Sequence, residues 1–306
     1  MRSSRVAVAP AGVRSFLEDA VVAGGGVVVP PEEAEGVVWA DAGDAGGLSK
    51  LLDDQPGIRW VQLPWAGIEP YVEVVRAHDD LVWACAKGVY AEPVGEHALA
   101  LALACRRSLG AFVRAGRWTK GRGEYLLGSR VTIVGGGGIT ETLLRLLGPF
   151  GCEVTVVRST PRPLAGADRV VASSELDEAL TGADVVVLAL ALTAETTGLI
   201  DRRRLDLVAP GGVLVNVARG QHVVTDDVIP ALDDGPLAGA GLDVTDPEPL
   251  PDGHPLWSRP DVIITPHTAN TPEMAVPLLS ARVTDNVRRH IAGEPLLGLV
   301  DPAAGY

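Results

Sequence analysis

The sequence predicts an α/β protein made of two doubly wound parallel-sheet domains. Three observations predict it. Short apolar runs alternate with helical or glycine-rich segments along nearly the whole chain, the order expected of strands joined by crossover helices. One unbroken strand, glycine turn, helix and strand occupy Ser129 to Thr160. With 306 residues the chain exceeds the usual single domain, so two domains of about 100 to 200 residues are expected.

Taken in order, Val6–Ala9, Gly26–Val29, Gly36–Ala40, Ile58–Leu63 and Leu81–Cys85 read as strands, with helical character over Val13–Val22 and Ile68–Ala77. Met1 to Pro10 lacks a long apolar segment with a cleavage site and reads as a first strand, not a signal peptide. The loop Pro64-Trp65-Ala66-Gly67-Ile68 leaves a strand and enters a helix, where free N–H groups can bind an anion. Glu92 to about Trp118 is a long helix candidate, nearly all apolar from Glu96 to Cys105 and so buried between layers. Its first residues, Ala91–Glu96, are the candidate hinge. The expected division is therefore 1–96 plus 271–306 for one domain and 97–270 for the other.

Past Thr160 the alternation resumes. Leu176–Leu180 reads as a short helix, and Ala183–Leu190, Val213–Ala218, Gly239–Val244 and Val262–Thr265 as strands. Thr271–Ile291 is a last helix crossing back, with the tail to Tyr306 expected beside the first domain.

Within the central unit, Arg130–Val134 is the first strand and Gly135–Gly138 the turn. Ile139, Leu143, Leu144, Leu146 and Leu147 then fall at helical spacing before Gly148-Pro149, and Glu153–Val157 is the second strand. A glycine cluster means little in a chain with 36 glycines; the strand before it and the helix after it single this one out. Such a turn points backbone N–H groups outward at the positive end of the helix dipole, so Gly135, Gly137 and Gly138 are expected at a dinucleotide pyrophosphate. The third glycine of the G-x-G-x-x-G pattern would stand at position 140, which holds Thr140. That glycine serves helix–strand packing, so a slightly wider approach is expected there.

Composition narrows the partners. A formal net charge of −13, with no Lys/Arg run, argues against a nucleic-acid backbone. An anionic substrate needs a local cationic pocket to overcome that field. Cys85, Cys105 and Cys152 are widely spaced, with no C-x-x-C, which fits reduced thiols in a cytoplasmic protein. Leu99–Cys105 and Val185–Leu192, the longest apolar runs, are too short to span a bilayer. The histidines are scattered and no metal cluster is visible.

Three successive strands each run into a polar residue of a different kind: Val213–Ala218 into Arg219, Ala240–Val244 into Asp246-Pro247-Glu248, and Val262–Pro266 into His267. In an open parallel sheet these carboxyl ends share one edge, where ligands bind. Alone, each has a plain structural reading as a solvated loop arginine, a turn carboxylate or a strand-end histidine; together they point to chemistry. Arg219 can hold a carboxylate bidentately and polarise the adjacent carbonyl. His267 can exchange a proton near neutral pH, and Glu248 favours its charged form and fixes its tautomer. His78, His97, His222, His254 and His290 lack such company; His97, at a helix start, and His254, in an Asp-Gly-His-Pro turn, read as structural. With a nicotinamide carrying hydride, the set suits reduction of a 2-oxo acid to a 2-hydroxy acid.

At these residues the chain resembles the D-2-hydroxyacid dehydrogenase family over nearly its whole length. The stretches that carry the likeness are Gly88–Glu96, the glycine turn, Asn216-Val217-Ala218-Arg219-Gly220, Gly241–Leu250 and Ile264–Asn270. The fold it implies is a Rossmann dinucleotide-binding domain inserted into a flavodoxin-like substrate domain. It implies Arg219, Glu248 and His267 as catalytic, and cofactor contacts at Gly138, Ile139, Val217, Asp243 and Asn270, with Arg219 and His267 also counted among them. It further implies substrate binding by Arg219 and by the N–H groups of Trp65-Ala66-Gly67, and a homodimer built on the nucleotide domain. Besides Thr140, two departures stand out: Ala191, where the family's run has proline, and Gln221-His222, where apolar residues are commoner. Pro255-Leu256-Trp257 is most similar to glyoxylate/hydroxypyruvate reductases. A phosphoglycerate dehydrogenase-like enzyme and a non-catalytic nucleotide-sensing protein are the alternatives.

The end of the second strand bears on the cofactor. An NAD site carries an Asp or Glu there, about 20 residues past the turn. Here Arg158, Ser159 and Thr160 occupy that place, with Arg162 beyond, a set that suits the 2′-phosphate of NADP. NADP is therefore the expected cofactor, with NAD as the lesser alternative.

Overall fold

The computed structural model describes residues 3–302; the expectation for the tail to Tyr306 lies outside them in its last four residues. In chain order the elements are β1 (Arg5–Ala9), α1 (Phe16–Ala23), β2 (Val27–Val28), β3 (Gly36–Trp39), α2 (Ala45–Asp54), β4 (Trp60–Gln62), α3 (Val72–Ala77) and β5 (Val82–Ala84). Then come α4 (Ala91–Arg106), α5 (Leu109–Arg114), β6 (Arg130–Val134), α6 (Gly138–Leu147), β7 (Glu153–Arg158), β8 (Arg169–Ala172), α7 (Leu176–Leu180) and β9 (Val185–Leu188). The chain closes with α8 (Arg202–Leu205), β10 (Gly212–Asn216), α9 (Thr225–Asp233), β11 (Leu237–Leu242), α10 (Pro255–Ser258), β12 (Val262–Ile264) and α11 (Pro272–Ala292).

Contacts divide the described chain into two compact units, one made of the segments up to Tyr90 and from Thr271 on, the other of Ala91–Asn270. Each holds one parallel sheet. The first has strand order β2-β1-β3-β4-β5 and the second β12-β11-β10-β9-β6-β7-β8. Both are doubly wound, and the second has the Rossmann order, reversing between β6 and β9. That reversal opens a crevice beside the turn leaving β6.

In the first unit α11 returns to pack on α1, and the approach is close. A Cβ on Gly24 would lie 2.7 Å from Val287 Cβ. Buried Asn286 on α11 donates to Gln62 Oε1 at 2.6 Å and accepts Leu297 N–H at 2.7 Å, tying helix, sheet and tail together. In the second unit α4 lies against α6, where a Cβ on Gly95 would lie 2.7 Å from Thr142 Cγ2.

The structure differs from the sequence expectation along Glu92–Trp118. One long helix was expected; α4 ends at Arg106, Ser108 adopts φ 52°, and α5 restarts at Leu109. The carbonyl of Arg106 is capped by Glu124 N–H at 2.7 Å, so the returning chain takes the place of another helical turn. Residues 115–129 contain no helix or strand. Ala91–Glu96, the expected hinge, forms the first turns of α4.

Candidate active site

The turn after β6 is built on glycine for steric reasons. Gly135 has φ 114°, and a Cβ there would run into the carbonyl of Ala189 at the end of β9. Gly137 caps α6 and has open space in front of it. The amides of Gly138, Ile139 and Thr140 open the helix without an intrahelical acceptor, a seat for a diphosphate. Thr140 fits inside: it is fully buried, and its hydroxyl donates to Gly135 O at 2.8 Å, fastening the helix start to the turn.

Arg158 ends β7 with its side chain over the turn, since a Cβ on Gly136 would lie 2.8 Å from Arg158 Cδ and 2.9 Å from Nε. Ser159 and Thr160 follow, exposed. Neither nearby acid takes the place beside them. Glu153 opens β7 at its far end, and Asp168 accepts Val154 N–H at 2.7 Å.

The other two departures form one arrangement. His222 is fully buried, with Nδ1 2.9 Å from Thr196 O and Nε2 3.3 Å from Leu190 O, so it braces the loop around Ala191 from both sides. Two backbone carbonyls thus hold His222 next to the expected cofactor crevice.

Arg219, Glu248 and His267 come from the ends of β10, β11 and β12, which are neighbours in the sheet. Buried Asn216 shapes the arginine turn, accepting Ala218 N–H at 3.0 Å and donating to Arg219 O at 2.9 Å. Val217 and Ala218 are buried, and Arg219 is half-buried, its Nη1 donating to Ala218 O at 2.7 Å. Gly220 admits no side chain, because a Cβ would overlap the Thr245–Asp246 peptide. The arginine turn thus lies directly on the backbone that leads to Glu248. Thr225 Oγ1 donates to Asp246 O at 2.7 Å and Thr245 N–H to Glu248 Oε2 at 3.4 Å, which steady that backbone.

Glu248 Oε1 lies 2.7 Å from His267 Nδ1. His267 itself has φ 49°, a backbone region that non-glycine residues rarely occupy. Asp243 is buried just behind it, receiving Thr265 Oγ1–H at 2.6 Å, Thr268 N–H at 2.9 Å and Ala269 N–H at 3.1 Å. His97, read from sequence as structural and without company, also reaches this carboxylate, with Nε2 3.4 Å from Asp243 Oδ1. Asn270 Oδ1 is buried without a hydrogen-bond partner, an acceptor suited to an amide donor.

In the first unit the Trp65–Gly67 loop is held from behind by Ala86 N–H on Trp65 O at 2.9 Å and by Tyr90 Oη on Pro64 O at 2.8 Å. The amides of Ala66 and Gly67 donate to no protein acceptor among the described residues. Arg14 lies 4.8 Å above the Trp65 ring. Burial pushes the Tyr90 phenol up to about 12, so it stays a neutral donor. Among the described residues no group of His, Cys, Asp and Glu could hold a metal ion, and no helix is long and apolar enough to cross a membrane.

Residues 98–269 match the model of the D-isomer specific 2-hydroxyacid dehydrogenase NAD-binding domain. A Corynebacterium melassecola protein, named only for its place 3′ of proB, is 39% identical over 294 residues, 94% of this chain and 95% of that one. Glyoxylate/hydroxypyruvate reductase A of Serratia proteamaculans is 35% identical over 178 residues, 58% of this chain and 56% of its own. Among solved structures, a D-isomer specific 2-hydroxyacid dehydrogenase from Xanthobacter autotrophicus, in complex with NADPH and MES, superposes with a TM-score of 0.83 at 29% identity, covering 100% of both chains. The chain belongs to the D-isomer specific 2-hydroxyacid dehydrogenase family, enzymes that act on 2-hydroxy and 2-oxo acids with a nicotinamide cofactor.

Proposed function

We propose that this enzyme reduces a small 2-oxo acid of the glyoxylate or hydroxypyruvate class to the D-2-hydroxy acid, with NADPH preferred over NADH. The observation that carries this reading is the 2.7 Å contact between His267 Nδ1 and Glu248 Oε1, one strand end away from Arg219. With Nδ1–H committed to the carboxylate, Nε2 is the nitrogen that holds the proton destined for the carbonyl oxygen. Glu248 stabilises the imidazolium before that transfer and keeps the same tautomer after it. Arg219 pairs with the substrate carboxylate and draws electron density from the adjacent carbonyl. A nicotinamide held by these residues would supply the hydride for the carbonyl carbon.

Gly135, Gly137, Gly138 and Ile139 are the proposed diphosphate contacts, and Val217, Asp243, Asn270, Arg219 and His267 those at the nicotinamide end. The orphaned Asn270 Oδ1 supports this, since a carboxamide N–H2 would satisfy it. Arg158, Ser159 and Thr160 are proposed for the 2′-phosphate, a reading supported by the Xanthobacter relative's complex with NADPH. The unsatisfied amides of Ala66 and Gly67, beside Trp65, are proposed to bind substrate carboxylate. Leu109, Val113, Trp118, Tyr125 and Leu127 are exposed together on the stretch after α4, and we assign them to a homodimer contact. Three free cysteines suit a cytoplasmic setting.

The test is turnover of NADPH and NADH with glyoxylate, hydroxypyruvate, pyruvate and phosphohydroxypyruvate. Highest kcat/KM with one of the first two and NADPH is expected. No turnover of any 2-oxo acid would overturn the catalytic reading, and a strong preference for phosphohydroxypyruvate would overturn the substrate class.

A further inference from the structure

His267 needs a reason to stay at φ 49°. Asp243 provides it through three successive amides. Its carbonyl accepts His267 N–H at 2.8 Å, while its carboxylate accepts Thr268 N–H at 2.9 Å and Ala269 N–H at 3.1 Å. A backbone run that includes a left-handed residue makes such a concavity for an anion, and here the anion belongs to the chain itself.

The carboxylate side chain is 1% exposed, so its charge must be met by donors. Burial would raise the Asp243 carboxyl, but hydrogen bonds from His97, Thr265, Thr268 and Ala269 outweigh it and hold the group below the ordinary aspartate value. Thr265 has a single hydroxyl proton and gives it to Asp243 Oδ1 at 2.6 Å. Toward His97, whose Nε2 lies 3.0 Å away, Thr265 Oγ1 is therefore the acceptor. His97 Nε2 thus carries a proton and shares it between Thr265 Oγ1 and Asp243 Oδ1.

We infer that His97 is a positioning residue for His267, holding Asp243 and Thr265 so that the loop from Thr265 to Ala269 keeps the catalytic ring against Glu248. The inference rests on the reading of His267 as the proton donor. His97 belongs to the long helix α4, so it anchors the loop to a second layer, beyond the strand ends that carry it. Without its N–H, Oδ1 loses a donor and the Thr265 hydroxyl loses the group that fixes its rotamer. The loop then relaxes toward a commoner backbone, and the His267 ring moves.

Two variants separate positioning from packing. His97→Phe keeps a ring and removes the donor, whereas His97→Gln restores an amide N–H near the Nε2 position. Two readouts are taken: the His267 ring and backbone resonances in the cofactor-free protein at one pH, and kcat with KM for the 2-oxo acid and for NADPH. In His97→Phe the His267 resonances are expected to move and kcat to fall roughly 10- to 100-fold, the scale of a misplaced catalytic group. KM for NADPH should rise far less than kcat falls, since the diphosphate seat at α6 is untouched and only the nicotinamide-end contacts of the loop move. His97→Gln should bring back both the resonances and most of kcat. Unchanged resonances and kcat in His97→Phe would overturn the inference, and so would a loss that Gln does not rescue. If His97→Phe fails to fold, Thr265→Val with Thr265→Ser as its rescue carries the same test through the shared hydroxyl. A wild-type protein that turns over no 2-oxo acid, yet shows the resonance shift and its rescue, would sink the proposed reaction and leave the coupling standing.

Discussion

Two histidine–carboxylate pairs stand at the carboxyl ends of β11 and β12, and they differ in their access to solvent. In the Glu248–His267 pair the side chains are 39% and 50% exposed; in the Asp243–His97 pair they are 1% and 22%. The buried carboxylate is saturated with donors from a hydroxyl, two amides and an imidazole. Such a charge is costly to leave short of partners, so it becomes a fixed point of the structure. The exposed carboxylate has a short bond to its histidine and a longer one from an amide, with water able to take up any slack. On the proposed reading, a carboxylate and an imidazole serve chemistry at the exposed pair, while at the buried pair they hold the loop in place.

The largest effect is expected at His267. His267→Ala should lower kcat for 2-oxo acid reduction by roughly 10²- to 10⁴-fold, the range for a positioned acid. The cofactor should still bind, and the thermal midpoint should hardly change because the side chain is half exposed. A variant that keeps turnover, or that unfolds, would show that the exposed pair is architecture as well.

A second charge, half-buried, is expected to act on a ligand in the same way. Arg158 lies over Gly136 at the phosphate turn. A hydrogen bond to a charged group contributes roughly 1.5–3 kcal/mol, so one good contact to a 2′-phosphate implies about a 10- to 150-fold preference for NADPH. Arg158→Asp should reverse the ratio of kcat/KM between NADPH and NADH. Equal efficiency with the two cofactors in the wild type would remove Arg158 from the cofactor site.

Legibility in the sequence followed the same division. The strands of both sheets are apolar runs, and their ends carry Arg219, Glu248 and His267 into view because a strand end is a sequence-local feature. The glycine turn was readable for the same reason. What sequence could not give were partners far away in number. His97 meets Asp243 across 146 positions, and His222 meets backbone carbonyls, which have no residue signature. Helix α2 has a weak sequence signal because Gly46 and Gly47 sit in its first turn; its one mark is Asp44, which caps it by accepting Gly47 N–H at 2.7 Å. Strand β8 is only four residues long, between a loop with two prolines, Pro161 and Pro163, and the polar Ser173-Ser174-Glu175. Ser108, where the long helix breaks, adopts φ 52°, a conformation that a serine in the sequence does not announce.

Asp243 is the sharper half of the contrast. Asp243→Asn keeps the shape but points an amide N–H2 at groups that are themselves donors. One buried, unsatisfied polar group costs about 1–3 kcal/mol, so the variant should unfold at distinctly lower denaturant, with a midpoint that Glu248→Gln does not share. If Glu248→Gln costs as much stability as Asp243→Asn, exposure is not what separates the two carboxylates.

A third carboxylate tests the exposed extreme, where no histidine and no ligand is involved. Asp177 accepts from Arg203 Nη1 at 2.6 Å and from Arg204 Nε at 2.8 Å. Those two hydrogen bonds, Arg203 first, hold its carboxyl down to about 2 from an ordinary 3.8. A group whose folded pKa is depressed contributes stability that is present above its unfolded pKa and is lost as pH falls through the folded value. The contribution is thus complete at neutral pH and fades below about pH 4 toward about pH 2. Its size is small, because half-exposed ion pairs are screened by water and give no more than about 1 kcal/mol. Asp177→Asn should therefore lower the urea midpoint slightly at pH 7 and pH 5, with the gap to wild type narrowing at pH 3.5 and shrinking in high salt. A gap that widens on acidification would reverse the sign. A gap as large as that of Asp243→Asn would mean that burial has little to do with how much a carboxylate stabilises this fold.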